Sequence, residues 1–163
     1  MSSVSIRPMK PRDRTAVEKI VAGVAVFSAG EVDTALELVD EWLDEGEESG
    51  YLTYVLEDGD PPAVRGYICF GPTPLTESTW DLYWVAVDPA AQGKGYGQML
   101  LAFAETEVRQ RGGRLLLIET ASQEAYGATV RFYQRAGYEL VSQIRNFYRE
   151  GDDKLTFAKV IPG

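Results

Sequence analysis

The run Gln92-Gly93-Lys94-Gly95-Tyr96-Gly97 is the stretch whose residue types and spacing best suit chemistry. An apolar, strand-like run from Leu82 to Val87 leads into it, and a helical pattern from Gly95 to about Gln110 follows. A glycine-rich turn at a helix start can hold a phosphate. Glycine lets the backbone approach the ligand, the first N–H groups of the helix point outward, and the helix dipole adds partial positive charge. Two other phosphate loops fit less well. A Walker loop needs Ser or Thr after Gly-Lys, and here Gly95 follows Gly93-Lys94. The dinucleotide fingerprint needs G-x-G-x-x-G, whereas the spacing here is Gly93-x-Gly95-x-Gly97. The pattern that is met is Q/R-x-x-G-x-G, on Gln92, Gly95 and Gly97.

Other catalytic chemistry is bounded by what the chain lacks. It has no histidine. That excludes Ser–His and Cys–His nucleophilic systems and the usual zinc sites, and it leaves acid–base work to Asp, Glu, Tyr, Lys or water. No metal site is expected. Cys69 is the only cysteine, so no internal disulfide can form and a reducing cytoplasm is the expected home. It sits in the apolar run Tyr67-Ile68-Cys69-Phe70 and reads as a small core residue. A net charge of −9 argues against a nucleic-acid partner. No apolar run approaches the ~18 residues of a membrane span, and no secretory signal pattern is visible, so no membrane association is expected.

The elements that must position these residues fit one domain over residues 1–163. Val4 to Met9 reads as a strand, and Asp13 as the cap of a helix over Arg14 to Ala22. A second helix covers about Glu31 to Asp44, and the acidic run Glu45 to Gly50 reads as a solvated loop. Tyr51 to Leu56 and Val64 to Phe70 form a hairpin around Asp58-Gly59-Asp60-Pro61-Pro62. Trp80 to Val87 is a long apolar strand, covered on both faces. After the helix that follows the glycine loop, Gly112-Gly113 is a stop and Leu115 to Ile118 a buried strand. A helix over about Ala128 to Ala136 ends at Gly137, and Tyr138 to Phe147 with Lys154 to Val160 closes the chain as a hairpin. The order β-α-α-β-β-β-α-β-α-β-β suits a three-layer α/β/α sandwich around a mixed, mostly antiparallel twisted sheet flanked by helices.

This order, the glycine loop with its strand (Val85-Ala86-Val87-Asp88-Pro89-Ala90-Ala91-Gln92-Gly93-Lys94-Gly95-Tyr96-Gly97) and the downstream Phe132-Tyr133-Gln134-Arg135-Ala136-Gly137-Tyr138 together resemble the GNAT superfamily of N-acetyltransferases. The likeness covers nearly the whole chain and is strongest from about Trp80 to Tyr138. It implies the GNAT fold, acetyl-CoA as acyl donor and a primary amine as acceptor. It also implies that the backbone amides of Gly93, Lys94, Gly95, Tyr96 and Gly97 hold the pyrophosphate, with Gln92 beside it. The backbone around Val85, Ala86 and Val87 would pair with the pantetheine arm. Tyr126 stands where many members carry a pantetheine-contacting Asn, a departure from the usual pattern. Tyr133 would stand near the thioester sulfur as general acid.

Amine attack on a thioester also needs the amine to lose a proton. Asp81 and Glu119 compete for the role of base. Asp81 lies eleven positions before Gln92, where histone-acetylating relatives have a general-base Glu, and Glu119 ends the neighbouring strand. The expected function is acetyl transfer to a small molecule, an amino acid or a peptide N-terminus, by a monomer or homodimer. The alternative is a non-catalytic acyl-CoA-binding sensor or scaffold. Trp80, Tyr83, Trp84, Phe147 and Tyr148 could line an acceptor pocket, or simply pack the core.

Overall fold

The structure is a computed structural model describing residues 3–163. Its elements follow the expected order: β1 (Ser5–Pro8), α1 (Arg14–Gly23), α2 (Ala29–Glu45), β2 (Leu52–Asp58), β3 (Ala63–Pro72), β4 (Thr79–Val87), α3 (Tyr96–Gln110), β5 (Leu115–Ala121), α4 (Gly127–Arg135), β6 (Glu139–Arg149) and β7 (Asp152–Val160). The acidic run expected as a loop contains a 3-10 turn, Gly46–Ser49. One mixed sheet of seven strands has the order β1-β2-β3-β4-β5-β7-β6. The β1–β2, β2–β3, β5–β7 and β6–β7 pairs are antiparallel, and β4–β5 is parallel.

The chain divides into two compact units: residues 1–71 with 83–106, and residues 72–82 with 107–163. In the first unit, strand alternation sends Val55, Tyr67 and Cys69 to one face. There they pack with Ala86 against Val17, Ile20 and Val21 of α1 and Ala35 and Val39 of α2. Tyr54 and Phe70 take the opposite face, where the Tyr54 ring lies 4.6 Å from Phe103 of α3. Helices therefore cover both faces of this part of the sheet, and burying each such aliphatic side chain is worth about 1.5–3 kcal/mol.

Two caps differ from expectation. Asp13 precedes α1, but its carboxylate caps nothing there. It accepts instead from the Arg7 Nη1 and Nη2, at 2.8 and 2.9 Å, and from the Lys10 N–H at 2.8 Å. α2 starts earlier than its apolar periodicity suggests because Ser28 caps it. The Ser28 hydroxyl accepts the Glu31 N–H, and Glu31 accepts the Ser28 N–H, both at 3.1 Å.

In the second unit, Leu116 and Ile118 of β5 and Phe157 of β7 are buried. Gly112 ends α3 in the left-handed conformation (φ +82°), and Gly113 follows in close approach to its neighbours. A side chain there would overlap Val108 and Trp80, at 2.3 and 2.7 Å from an added Cβ. Gly137 ends α4 in the left-handed conformation (φ +95°), and the Tyr138 N–H returns to the Tyr133 carbonyl at 3.0 Å.

Candidate active site

In the first unit, β4 alternates so that Ala86 enters the core while Val85 and Val87 remain half-buried. Asp88 ends the strand, and its carboxylate accepts the Ala90 N–H at 3.0 Å to open the short turn Pro89–Ala91. The chain then enters the glycine loop. Gln92 is exposed and its Nε2 donates to the Val87 carbonyl at 3.3 Å, folding the loop back on the strand. Gly93 and Gly95 have φ of +83° and +79°, and an added Cβ at either would meet no protein atom within 4 Å. Glycine is therefore required by the backbone angle and not by crowding within the chain. The Met99 N–H returns to the Gly95 carbonyl at 3.0 Å, so the amides just before it are those that any helix start leaves without an intrahelical partner. Two left-handed glycines and a helix N-terminus, with Gln92, Lys94 and Gly95 exposed, suit a diphosphate held by backbone N–H groups.

Tyr96 behaves differently from the rest of the loop. Its side chain is buried, and its hydroxyl donates to Asp58 at the end of β2. Sequence reasoning missed Asp58, which lies in a run that reads only as a turn. No local pattern announces a bond across so long a stretch of chain.

In the second unit, the parallel β4–β5 register runs from Thr79↔Leu115 to Leu82↔Ile118. Asp81 pairs with Leu117, so Asp81 and Glu119 fall on the same face, two residues apart along the strands, or about 7 Å. The Asp81 carboxylate accepts the Thr73 hydroxyl at 2.7 Å, which fixes its orientation. Glu119 is exposed, and Lys154 of β7 stands 3.4 Å from it. Tyr133 on α4 is buried among Phe132, Tyr138 and Phe157, with ring centroids 5.4, 6.1 and 6.4 Å away. Burial pushes its hydroxyl well above the ordinary phenol value, so it keeps its proton at any neutral pH. Tyr126 is also buried, in the turn that precedes α4. Cys69 is 1% exposed, and burial pushes its thiol up to about 12, which makes it a core residue and not a nucleophile.

The acetyltransferase (GNAT) family profile matches residues 20–138, which contain the loop, both carboxylates and Tyr133. The chain belongs to the GNAT acetyltransferase family. A crystal structure of a GNAT-family protein from Desulfovibrio desulfuricans is 42% identical, covers 98% of this chain and 100% of its own, and superposes with a TM-score of 0.93. The chain thus has the GNAT fold. The blasticidin-S acetyltransferase of Streptomyces morookaense is 36% identical over 101 residues, 60% of this chain. A Salmonella typhimurium protein solved with acetyl-CoA shares the fold at 24% identity and a TM-score of 0.74, covering 99% of this chain and 95% of its own. The match spans 65% of the length of the blasticidin-S acetyltransferase, and 17% of the length of the mycothiol acetyltransferase of Cellulomonas flavigena, which is 37% identical over 62 residues, 38% of this chain. Among the described residues, no helix is long and apolar enough to cross a membrane, and no group of three or more His, Cys, Asp or Glu is placed to hold a metal ion.

Proposed function

We propose that this chain is an N-acetyltransferase that moves an acetyl group from acetyl-CoA to a primary amine of a small molecule, an amino acid or a peptide N-terminus. The observation that carries the reading is the loop from Gln92 to Gly97. Two left-handed glycines lie between the short turn that follows β4 and the start of α3, and an added Cβ at either meets no protein atom within 4 Å. Backbone amides of Gly93 to Gly97 would bind the diphosphate, and the backbone of Val85 to Val87 would pair with the pantetheine arm as an added strand would. Bound acetyl-CoA supplies an activated acyl group. The chain's own residues orient it and handle protons. Asp81, held by Thr73, takes up the proton of the acceptor amine through water. Glu119 positions the acceptor's positive charge, and the buried, neutral Tyr133 presents an O–H to the departing sulfur. Tyr126 flanks the pantetheine arm.

Small-molecule acceptors find support in the relative that acetylates blasticidin S. A reducing cytoplasmic setting agrees with the single, buried, free Cys69. The test is calorimetric titration with CoA, followed by release of free thiol from acetyl-CoA in the presence of an amine library. CoA binding with acceptor-dependent thiol release supports the enzyme. Binding without release for any amine would favour the sensor reading, and absence of CoA binding would sink both.

A further inference from the structure

Asp58 is a carboxylate with 7% exposure, and a charged group so enclosed needs partners. It has two. The Tyr96 hydroxyl donates to Oδ2, and Arg65 Nε donates to Oδ1 at 3.0 Å. Arg65 in turn reaches the start of the loop. Its Nη1 lies 3.9 Å from Asp88 Oδ2, and its carbonyl accepts the Asp88 N–H at 2.7 Å. Residue 88 is thus tied to Arg65 and residue 96 to Asp58, and these two residues of the β2–β3 hairpin are bonded to each other. Between these ties lie Gly93 and Gly95 in left-handed conformations.

We propose that Asp58 is a positioning residue for the CoA loop: with Arg65, it clamps both ends of residues 88–96 so that the amides of Gly93 to Gly97 are set before the diphosphate arrives. This rests on the acetyl-CoA reading of the loop. Exposed glycine-containing segments open easily, and a ligand that must order one loses affinity by that amount. The clamp removes the cost in advance. It also assigns Tyr96 a role apart from ligand contact, because its ring and hydroxyl are turned into the protein.

Electrostatics makes the idea sharply testable, because it predicts the opposite sign. Asp58 is a negative charge close enough to the loop to be affected by Lys94, and its removal should by charge alone favour a diphosphate. Asp58→Asn also removes the nearer of the two carboxylates beside Arg65, leaving Asp88 at 3.9 Å, a further gain for an anion. If Asp58 positions the loop, affinity falls despite both effects.

CoA affinity is measured by calorimetry at 20 °C on the full chain for wild type, Asp58→Asn and Tyr96→Phe. Amide exchange of Gly93 to Gly97 and the melting temperature are followed in parallel. The expected result is at least tenfold weaker CoA binding in both variants, with faster exchange across the loop. A merely structural role would lower the melting temperature and leave the affinity of the folded protein unchanged, which overturns the proposal. Equal or tighter binding by Asp58→Asn overturns it as well. Should Asp58→Asn fail to fold, Tyr96→Phe removes only a hydroxyl and carries the same prediction. Failure of wild type to bind CoA would instead overturn the loop assignment itself.

Discussion

Gly95→Ala separates backbone strain from crowding. Gly95 has φ +79°, and the new methyl group would meet no protein atom within 4 Å. The cost is therefore that of a left-handed alanine, about 1–2 kcal/mol. That energy appears in one of two places. If the loop keeps its shape, the free protein carries the strain and melts about 2–8 °C lower. If the loop relaxes, the free protein escapes the strain, and CoA must restore the shape at a loss of about 5–30-fold in affinity. Gly93, Lys94 and Gly95 are exposed, so relaxation is open to them and the loss should fall on affinity. Gly112 is the control. Its φ is +82° and its added Cβ is equally unobstructed. The next residue, however, is wedged against Val108 and Trp80, and the Gly113 N–H is held by the Val108 carbonyl at 2.7 Å. Gly112→Ala cannot relax, so it should lower the melting temperature and leave CoA affinity alone. Calorimetry with CoA and thermal melts on both variants decide the matter. Wild-type CoA affinity in Gly95→Ala together with an unchanged melting temperature would refute the assignment of this loop to the diphosphate, whereas wild-type affinity with a lowered melting temperature would mean that the loop keeps its shape.

Tyr133→Phe should retain CoA binding and lower kcat by ~10²-fold if the hydroxyl acts on the departing sulfur; unchanged turnover reduces Tyr133 to packing. Asp81→Asn should lower kcat, whereas Glu119→Gln should mainly raise the acceptor KM, and a reversed pattern in steady-state kinetics would exchange the two roles. Cys69 predicts alkaline weakening. Its thiol ionises near 9.0 when unfolded and near 12 when folded, so its contribution is complete below pH 9 and is lost as pH rises towards 12, at about 1.4 kcal/mol per pH unit. Buried Tyr67 and Tyr133 shift in the same direction and add to the loss at higher pH. Urea unfolding at pH 8, 9.5 and 10.5 should show this slope, reduced in Cys69→Ala.

Features set by local rules were legible in the sequence, and those set by distant partners were not. The hairpin of β2 and β3 follows from two-residue alternation around a turn-rich stretch. The stops at Gly112 and Gly137 follow from helix-end chemistry, which both angles obey. Ser28-Ala29-Gly30-Glu31 carries a capping-box pattern, but its small residues lie outside the apolar periodicity that marks the helix from about Glu31. Asp13 departs from the cap its position suggests because Arg7, on the preceding strand, competes for its carboxylate and wins. The lengths of β5 and β6 exceed their apolar cores because pairing to β7 carries them on, through Ala121↔Lys154 in one case and Arg149↔Asp152 in the other. Within the candidate site, the glycine loop was visible as a motif. Its anchor on Asp58 was not, since Asp58 and Tyr96 are 38 residues apart and neither lies in a pattern that names the other.

The absence of histidine leads to one further prediction. No side chain of ordinary pKa near neutrality is present, so between pH 6 and 9 the group that titrates during catalysis is the acceptor amine itself. Tyr133 is held neutral by burial and contributes no inflection there. An amine attacks only when unprotonated, and the fraction in that form rises tenfold per pH unit below its own pKa. The profile of kcat/KM should therefore rise with pH and level off at a value that belongs to the acceptor: near 8 for a peptide α-amine, and near 10.4 for a lysine-type amine. Two acceptors of different basicity, assayed at subsaturating concentration, should give midpoints separated by about that difference. A midpoint fixed near one pH for both acceptors would mean that an ionising group of the protein sets the rate. The carboxylate held by Thr73 would then be the first residue to exchange, since Asp81→Asn removes its charge while keeping its shape.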